Sequence, residues 1–251
     1  MIALLLALLA IVPRVREGDV QSFTSLTDAQ GKALAQGKYL QRVEGDVLHV
    51  EARYDFPDGR SIVERASLRL HPHIEQLTWD WTERNGAQLV RQYEIDFSTR
   101  KAVATRVDQH KRWKEDLDIE PGKTFAGIGF VTPIKSLRDQ LKPGEHIDLK
   151  AVAMTPRPRT APVTVTRDGP DPVRMAGRTI PGERYTIHVD IPGTARLFVN
   201  PPDERIWLVS GEPPAFLRFE GPLVEPGDPI VNVDLIPNAI HPQARPGPRL
   251  R

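Results

Sequence analysis

Between Leu48 and Phe56 the chain alternates: Leu48, Val50, Ala52, Tyr54 and Phe56 fall on one side, and His49, Glu51, Arg53 and Asp55 on the other. A period of two is the pattern of a strand with one buried face. Pro57, Asp58 and Gly59 then supply a turn, and the apolar phase resumes at Ile62, Ala66, Leu68 and Leu70. A hairpin is predicted here. A second follows, with Leu77, Trp79 and Trp81 alternating with polar residues, Asn85-Gly86 turning the chain, and Leu89, Tyr93, Ile95 and Phe97 returning. One charge stands in the apolar phase of each hairpin, Glu64 in the first and Arg91 in the second.

Weaker alternations recur at Ile147, Leu149, Ala151 and Ala153, at Val163 and Val165, at Tyr185, Ile187, Val189 and Ile191, and at Val231, Val233 and Leu235. Together they predict ten to twelve strands. One segment has helical spacing instead: Ile134, Leu137 and Leu141, with Thr132 as cap, Pro133 in the first turn and Lys142-Pro143-Gly144 as the stop. The expected helix covers residues 133–141 and closes one end or face of the sheet. The proline-rich, basic stretch 237–251 has no periodicity and is expected to be disordered.

Composition narrows this picture. Of 251 residues 39% are apolar, enough for a globular core, and the 24 prolines are scattered so as to break long helices. Lys and Arg number 34 against 33 acidic residues, so the chain lacks the broad positive field of a nucleic-acid binder. With no cysteine, disulfides, thiolate metal sites, a cysteine nucleophile and lipidation of an N-terminal cysteine are excluded. The run MIALLLALLAIV is long enough for a signal-peptide core and too short to span a bilayer. Residues 1–16 therefore read as an export leader, with the best cleavage point after Ala10, and residues 17–236 as a single antiparallel β domain without a spanning segment.

Motifs for chemistry are sparse. His71-Pro72-His73, with Glu75, has ligand-like spacing, but Pro72 interrupts the strand and a surface turn accounts for it better. Asp168-Gly169-Pro170-Asp171-Pro172 offers two carboxylates for calcium, in the composition of a tight turn. The glycines of FAGIGF lack the full phosphate-loop spacing and suit a bulge or a close sheet crossing, and no GxSxG elbow occurs. Glu64 and Arg91 allow two placements: an inward one, lining a ligand-facing concavity, or a bulge or edge that returns them to water. The aromatic residues Trp79, Trp81, Tyr93, Trp207, Phe216 and Phe219 suit either a β core or an apolar groove.

Four stretches resemble a family of bacterial envelope proteins known as a domain of unknown function: GKTFAGIGF (122–130), LKPGEHIDLKAV (141–152), RIWLVSGEPP (205–214) and FLRFEGPL (216–223). The resemblance covers residues 45–236. It implies a long antiparallel meander bent into an open half-barrel, similar to the periplasmic carriers that shield lipoprotein acyl chains. No family catalytic residue carries over, and without a cysteine after the leader a soluble periplasmic form is implied.

The expectation is an all-β fold, a curved antiparallel meander forming an open or half barrel with one short helix. Its expected function is non-catalytic: an exported, periplasmic or extracellular binding or carrier protein for an apolar or amphipathic ligand, a lipid or lipidated protein. Glu64, Arg91, Trp79, Trp81, Tyr93 and Trp207 are the candidate ligand contacts, with no metal and no cofactor. Two rivals are an envelope interaction protein that pairs through an exposed sheet edge, and a polysaccharide hydrolase that uses two carboxylates.

Overall fold

A computed structural model describes residues 10–175, 177–190 and 201–236. Residues 1–9 of the expected leader, Ile191 and the tail from 237 to 251 lie outside the described residues. The first half is an unbroken antiparallel meander: β1 (Val20–Asp28), β2 (Ala33–Glu44), β3 (Val47–Asp55), β4 (Arg60–Arg69), β5 (Glu75–Asn85), β6 (Gln88–Asp96), β7 (Lys101–Arg106) and β8 (Lys111–Asp116). After β9 (Thr124–Phe125) come a 3₁₀ turn, Gly127–Phe130, and the helix α1 (Val131–Leu137). The second half comprises β10 (His146–Thr155), β11 (Arg157–Pro170), β12 (Val173–Met175), β13 (Arg178–Ile180), β14 (Gly182–Val189), β15 (Glu204–Val209), β16 (Phe216–Pro222) and β17 (Ile230–Ile236).

Fifteen of these strands make one sheet, in the order β8-β7-β6-β5-β4-β3-β2-β1-β17-β16-β15-β14-β11-β10-β9, while β12 and β13 pair apart from it. Every ladder in the large sheet is antiparallel except β9 on β10. The sheet curls until β8 lies against β11, where Arg157 and Glu115 pair at 3.1 Å, yet the edge strands β8 and β9 do not bond to each other. This is the expected curved, open sheet.

Seventeen strands among the described residues exceed the ten to twelve expected, and the inward positions explain the shortfall. β1 turns Ser22, Thr24 and Leu26 inward and leaves Phe23 58% exposed. β2 turns in Ala35, Gly37, Tyr39 and Gln41, and β7 turns in Ala102, Ala104 and Arg106. Small and polar inward residues erase the apolar alternation on which the sequence reading depends. The helix is also shorter than expected. The 3₁₀ turn feeds straight into α1, so Phe130 takes the cap position, Thr132 makes no capping bond, and the chain beyond Leu137 continues as a turn to Leu141.

Two turn assignments shift as well. Asn85 pairs with Gln88, so Gly86 and Ala87 form the tip of the second hairpin, with Gly86 at φ +56. Asp168 to Pro170 belongs to β11, where the register slips between Arg167 and Gly169, and is a bulge rather than a tight turn. Its carboxylates are neutralised: Arg184 donates to Asp168 and Asp171 at 3.0 Å each.

The main core fills the concave side of the sheet and includes Leu48, Ile62, Leu68, Trp81, Tyr93, Phe125, Ile134 and Val165, with Ile11 also buried in it. A smaller cluster, Val173, Met175, Trp207 and Leu217, lies on the convex side beneath the β12–β13 hairpin.

Candidate functional site

The β4–β5 and β5–β6 registers shift only at Ser67/Leu68 and Glu83/Arg84, away from Glu64, so the alternation around Glu64 holds and carries it inward. Ala52 pairs with Glu64, Glu64 with Trp81, and Trp81 with Tyr93, so these side chains form one row across the concave face. Trp79 and Arg91 occupy the neighbouring rows, and the Trp81 and Tyr93 rings meet at 5.7 Å. Five of the six candidate residues therefore share the concave side. Trp207 does not: it faces the convex cluster, where its indole N–H donates to Asp171 at 3.1 Å.

Two segments, rather than further strands, cover this concave face. The first is residues 126–137, whose α1 side chains are all buried. The sheet satisfies its backbone: the Gln76 side chain accepts from Ala126 N at 2.7 Å and donates to Ala126 O at 3.2 Å, and Glu64 Oε1 accepts from Ile128 N and from Trp79 Nε1, both at 2.8 Å. The approach is close enough to require glycine. A Cβ on Gly127, at φ +48, would lie 2.1 Å from Glu64 Oε1 and 2.3 Å from Trp79 Nε1. The FAGIGF glycines thus serve a close crossing.

The second cover is the loop 223–229 between β16 and β17, which reaches β6 and β7. Asp228 accepts from Arg91 at 2.9 Å, and Glu225 accepts from Arg106 at 2.7 Å and from the Tyr93 hydroxyl. Arg91 also donates to Glu83 at 2.6 Å and stacks 5.0 Å from the Trp81 ring. Buried and paired twice, Arg91 is a clamp for this loop.

The concave face carries a second inward carboxylate, Glu204. It opens β15 opposite Ile187 and in phase with the buried Ile206 and Leu208. Glu204 has no hydrogen bond or ion pair among the described residues, although it remains partly accessible, as does Glu64. Loss of hydration, with the charge of Glu64 second, pushes the Glu204 carboxyl up to about 7. Desolvation raises Glu64 as well, against its two hydrogen bonds. The hydroxyl of the neighbouring Tyr54 is raised first by burial and then by the Glu64 charge.

The sequence reading missed Glu204, although the signal that singled out Glu64, an acid in phase with apolar neighbours, is present there too. Glu225 and Asp228 carry no such signal, because their turn composition says nothing about where the loop docks. His71 is exposed in a turn and His73 pairs with Glu75, and among the described residues no group of three His, Asp or Glu could hold a metal ion.

No family model and no curated protein matches the chain. Among solved structures, a β-barrel-like protein of the domain of unknown function DUF1849 from Brucella abortus superposes with a TM-score of 0.51 at 11% identity, over 88% of this chain and 97% of that one. The hypothetical lipoprotein YmcC from Escherichia coli aligns at a TM-score of 0.38 and 11% identity, over 86% and 84%. A DUF1089 family protein from Pseudomonas aeruginosa aligns at 0.37 and 14%, over 84% and 92%. The likeness to the Brucella protein is one of fold, the β-barrel-like architecture that the sequence resemblance implied.

Proposed function

We propose that the chain is a non-catalytic binding or carrier protein that takes an apolar or amphipathic, lipid-like molecule into the concave side of its sheet. The observation that carries this reading is how that side is covered. Residues 126–137 and 223–229 lie over an apolar, aromatic face without joining the strand ladders there, so either can lift away without breaking a sheet hydrogen bond. Ligand contacts would come from Trp79, Trp81 and Tyr93, with Glu64 and Arg91 at the hinges of the covers; Trp207, on the other face, falls outside this site. The apolar run at residues 1–12 supports a place outside the cytoplasm, in the periplasm or beyond. Among the described residues no helix is long and apolar enough to cross a membrane.

The rival readings have less support. The free edge β8 reads Lys-Arg-Trp-Lys-Glu-Asp, a lysine-rich composition that discourages strand pairing. A polysaccharide hydrolase would use Glu64 and Glu204 as acid and base, but one oxygen of Glu64 is committed to two donors.

Native mass spectrometry of the protein purified from its own envelope, before and after exposure to phospholipid vesicles, tests the proposal. A reproducible bound lipid is expected. A chain that stays empty after exposure would overturn it.

A further inference from the structure

The stretch ahead of β1 folds onto the first cover without joining the sheet. Residues 10–19 form no strand, yet Ile11 is 2% exposed and its carbonyl accepts from Ile74 N at 2.8 Å. Arg14 N donates to the Ser136 hydroxyl at 3.2 Å, and the Asp19 carboxylate accepts from Val43 N at 2.9 Å. This strap is therefore tied at three places: beside the start of β5, on α1 and on β2.

Its middle holds a buried chain of polar groups. Glu17 accepts from Lys135 Nζ at 2.9 and 3.2 Å, with the two side chains 5% and 6% exposed. Gln41 donates to Glu17 at 3.0 Å and to Gly18 O at 2.7 Å, and its own side-chain carbonyl accepts from the Tyr39 hydroxyl at 3.0 Å. Cover, strap and sheet are thus joined in series, α1 through Lys135, the strap through Glu17 and β2 through Gln41. Lys135 is the one charged residue of α1, so lifting the cover with the strap in place strips a buried ammonium of its carboxylate, a costly separation. A cavity of about 370 Å³ opens at the same seam, with Arg14, Val15 and Arg16 on one side and Lys135, Arg138 and Asp139 on another. Polar bonds, more than continuous packing, therefore fasten the strap to α1.

We infer that residues 10–19 are a latch on the first cover, and that release of Glu17 from Lys135 is the step that lets residues 126–137 lift from the concave side. The inference rests on the reading that the covers part to admit an amphiphile, and it adds which cover parts and what holds it shut. A leader cut after Ala10 leaves the latch whole, because its first bond is made by Ile11.

Hydrogen exchange read by mass spectrometry on the full chain and on Glu17→Gln, which keeps the side chain's shape and removes its charge, tests it. Amides of residues 131–137 are expected to exchange at least about tenfold faster in the variant, with those of β3 to β6 unchanged. Vesicles of phosphatidylcholine brominated along the acyl chain should then quench the variant's tryptophans faster than those of the natural chain, to the same final extent. Unchanged exchange in 131–137, an equal acceleration throughout the sheet, or a loosened cover that takes up lipid no faster overturns the inference. Quenching of neither chain overturns the carrier reading instead, and exchange alone then decides whether residues 10–19 latch the cover. If Glu17→Gln does not fold, Lys135→Met, which removes the buried ammonium, is read in the same way.

Discussion

Glu204 holds its proton more tightly in the folded protein than in the unfolded chain, because folding removes water from its carboxyl and sets it near Glu64. Its ordinary value is 4.5 and its folded value about 7. The stabilisation is therefore complete below the lower value and is lost as pH rises through the higher one. Replacing Glu204 with Gln removes this dependence. The variant should match the natural chain near pH 4.5 and exceed it at pH 8 by about 1–3 kcal/mol, discounted for the partial exposure of the group. Urea midpoints at the two pH values measure the difference, and a gap that does not widen with pH contradicts the assignment. At this scale the sequence narrowed the choice without making it: the phase of Glu64 and Arg91 left an inward and a water-facing placement open, and both residues face inward. What it could not show was that Arg91 is already paired and Glu204 is not, since partners arrive from loops with no periodicity.

Elements add constraints that no single residue carries. The segment 126–137 presses its backbone onto β4 and β5, so Gly127→Ala combines a left-handed φ with a clash against Glu64 and Trp79 and should cost about 2–4 kcal/mol in chemical denaturation. Gly129→Ala, which meets only the Gln76 side chain and has no positive φ, should cost less. The loop 223–229 is held by charge. Arg91→Met leaves Asp228 without its cation while Glu83 keeps Arg60 at 3.2 Å, and should cost about 2–4 kcal/mol. Asp228→Asn leaves Arg91 paired to Glu83, so its effect should be local, seen as faster hydrogen exchange of the 223–229 amides with the sheet unchanged. The hairpins β3–β4 and β5–β6 were legible because each buries a continuous row of large apolar side chains. β1 and β2 were not, because Ser22, Thr24, Gly37 and Gln41 occupy the inward positions.

At the scale of the whole molecule, a fifteen-stranded sheet that curls without closing needs something to fill its concavity. Here the chain supplies two covers, and Glu64 and Glu204 on the inward face remain partly accessible. Of this architecture, strand alternation foretold the antiparallel β fold and the family resemblance its curvature, but the joining of β17 to β1, which welds the two meanders into one sheet, has no local signature. The central claim is that an amphipathic molecule enters the concave side, and the four tryptophans can report it directly: Trp79 and Trp81 lie inside, Trp113 on the edge strand and Trp207 on the convex face. In a Trp113→Phe/Trp207→Phe variant only the inner pair emits. Titrated with a lipid brominated along its acyl chain, that variant should lose most of its fluorescence, whereas unchanged emission from the inner pair at lipid concentrations that bind the protein contradicts the account.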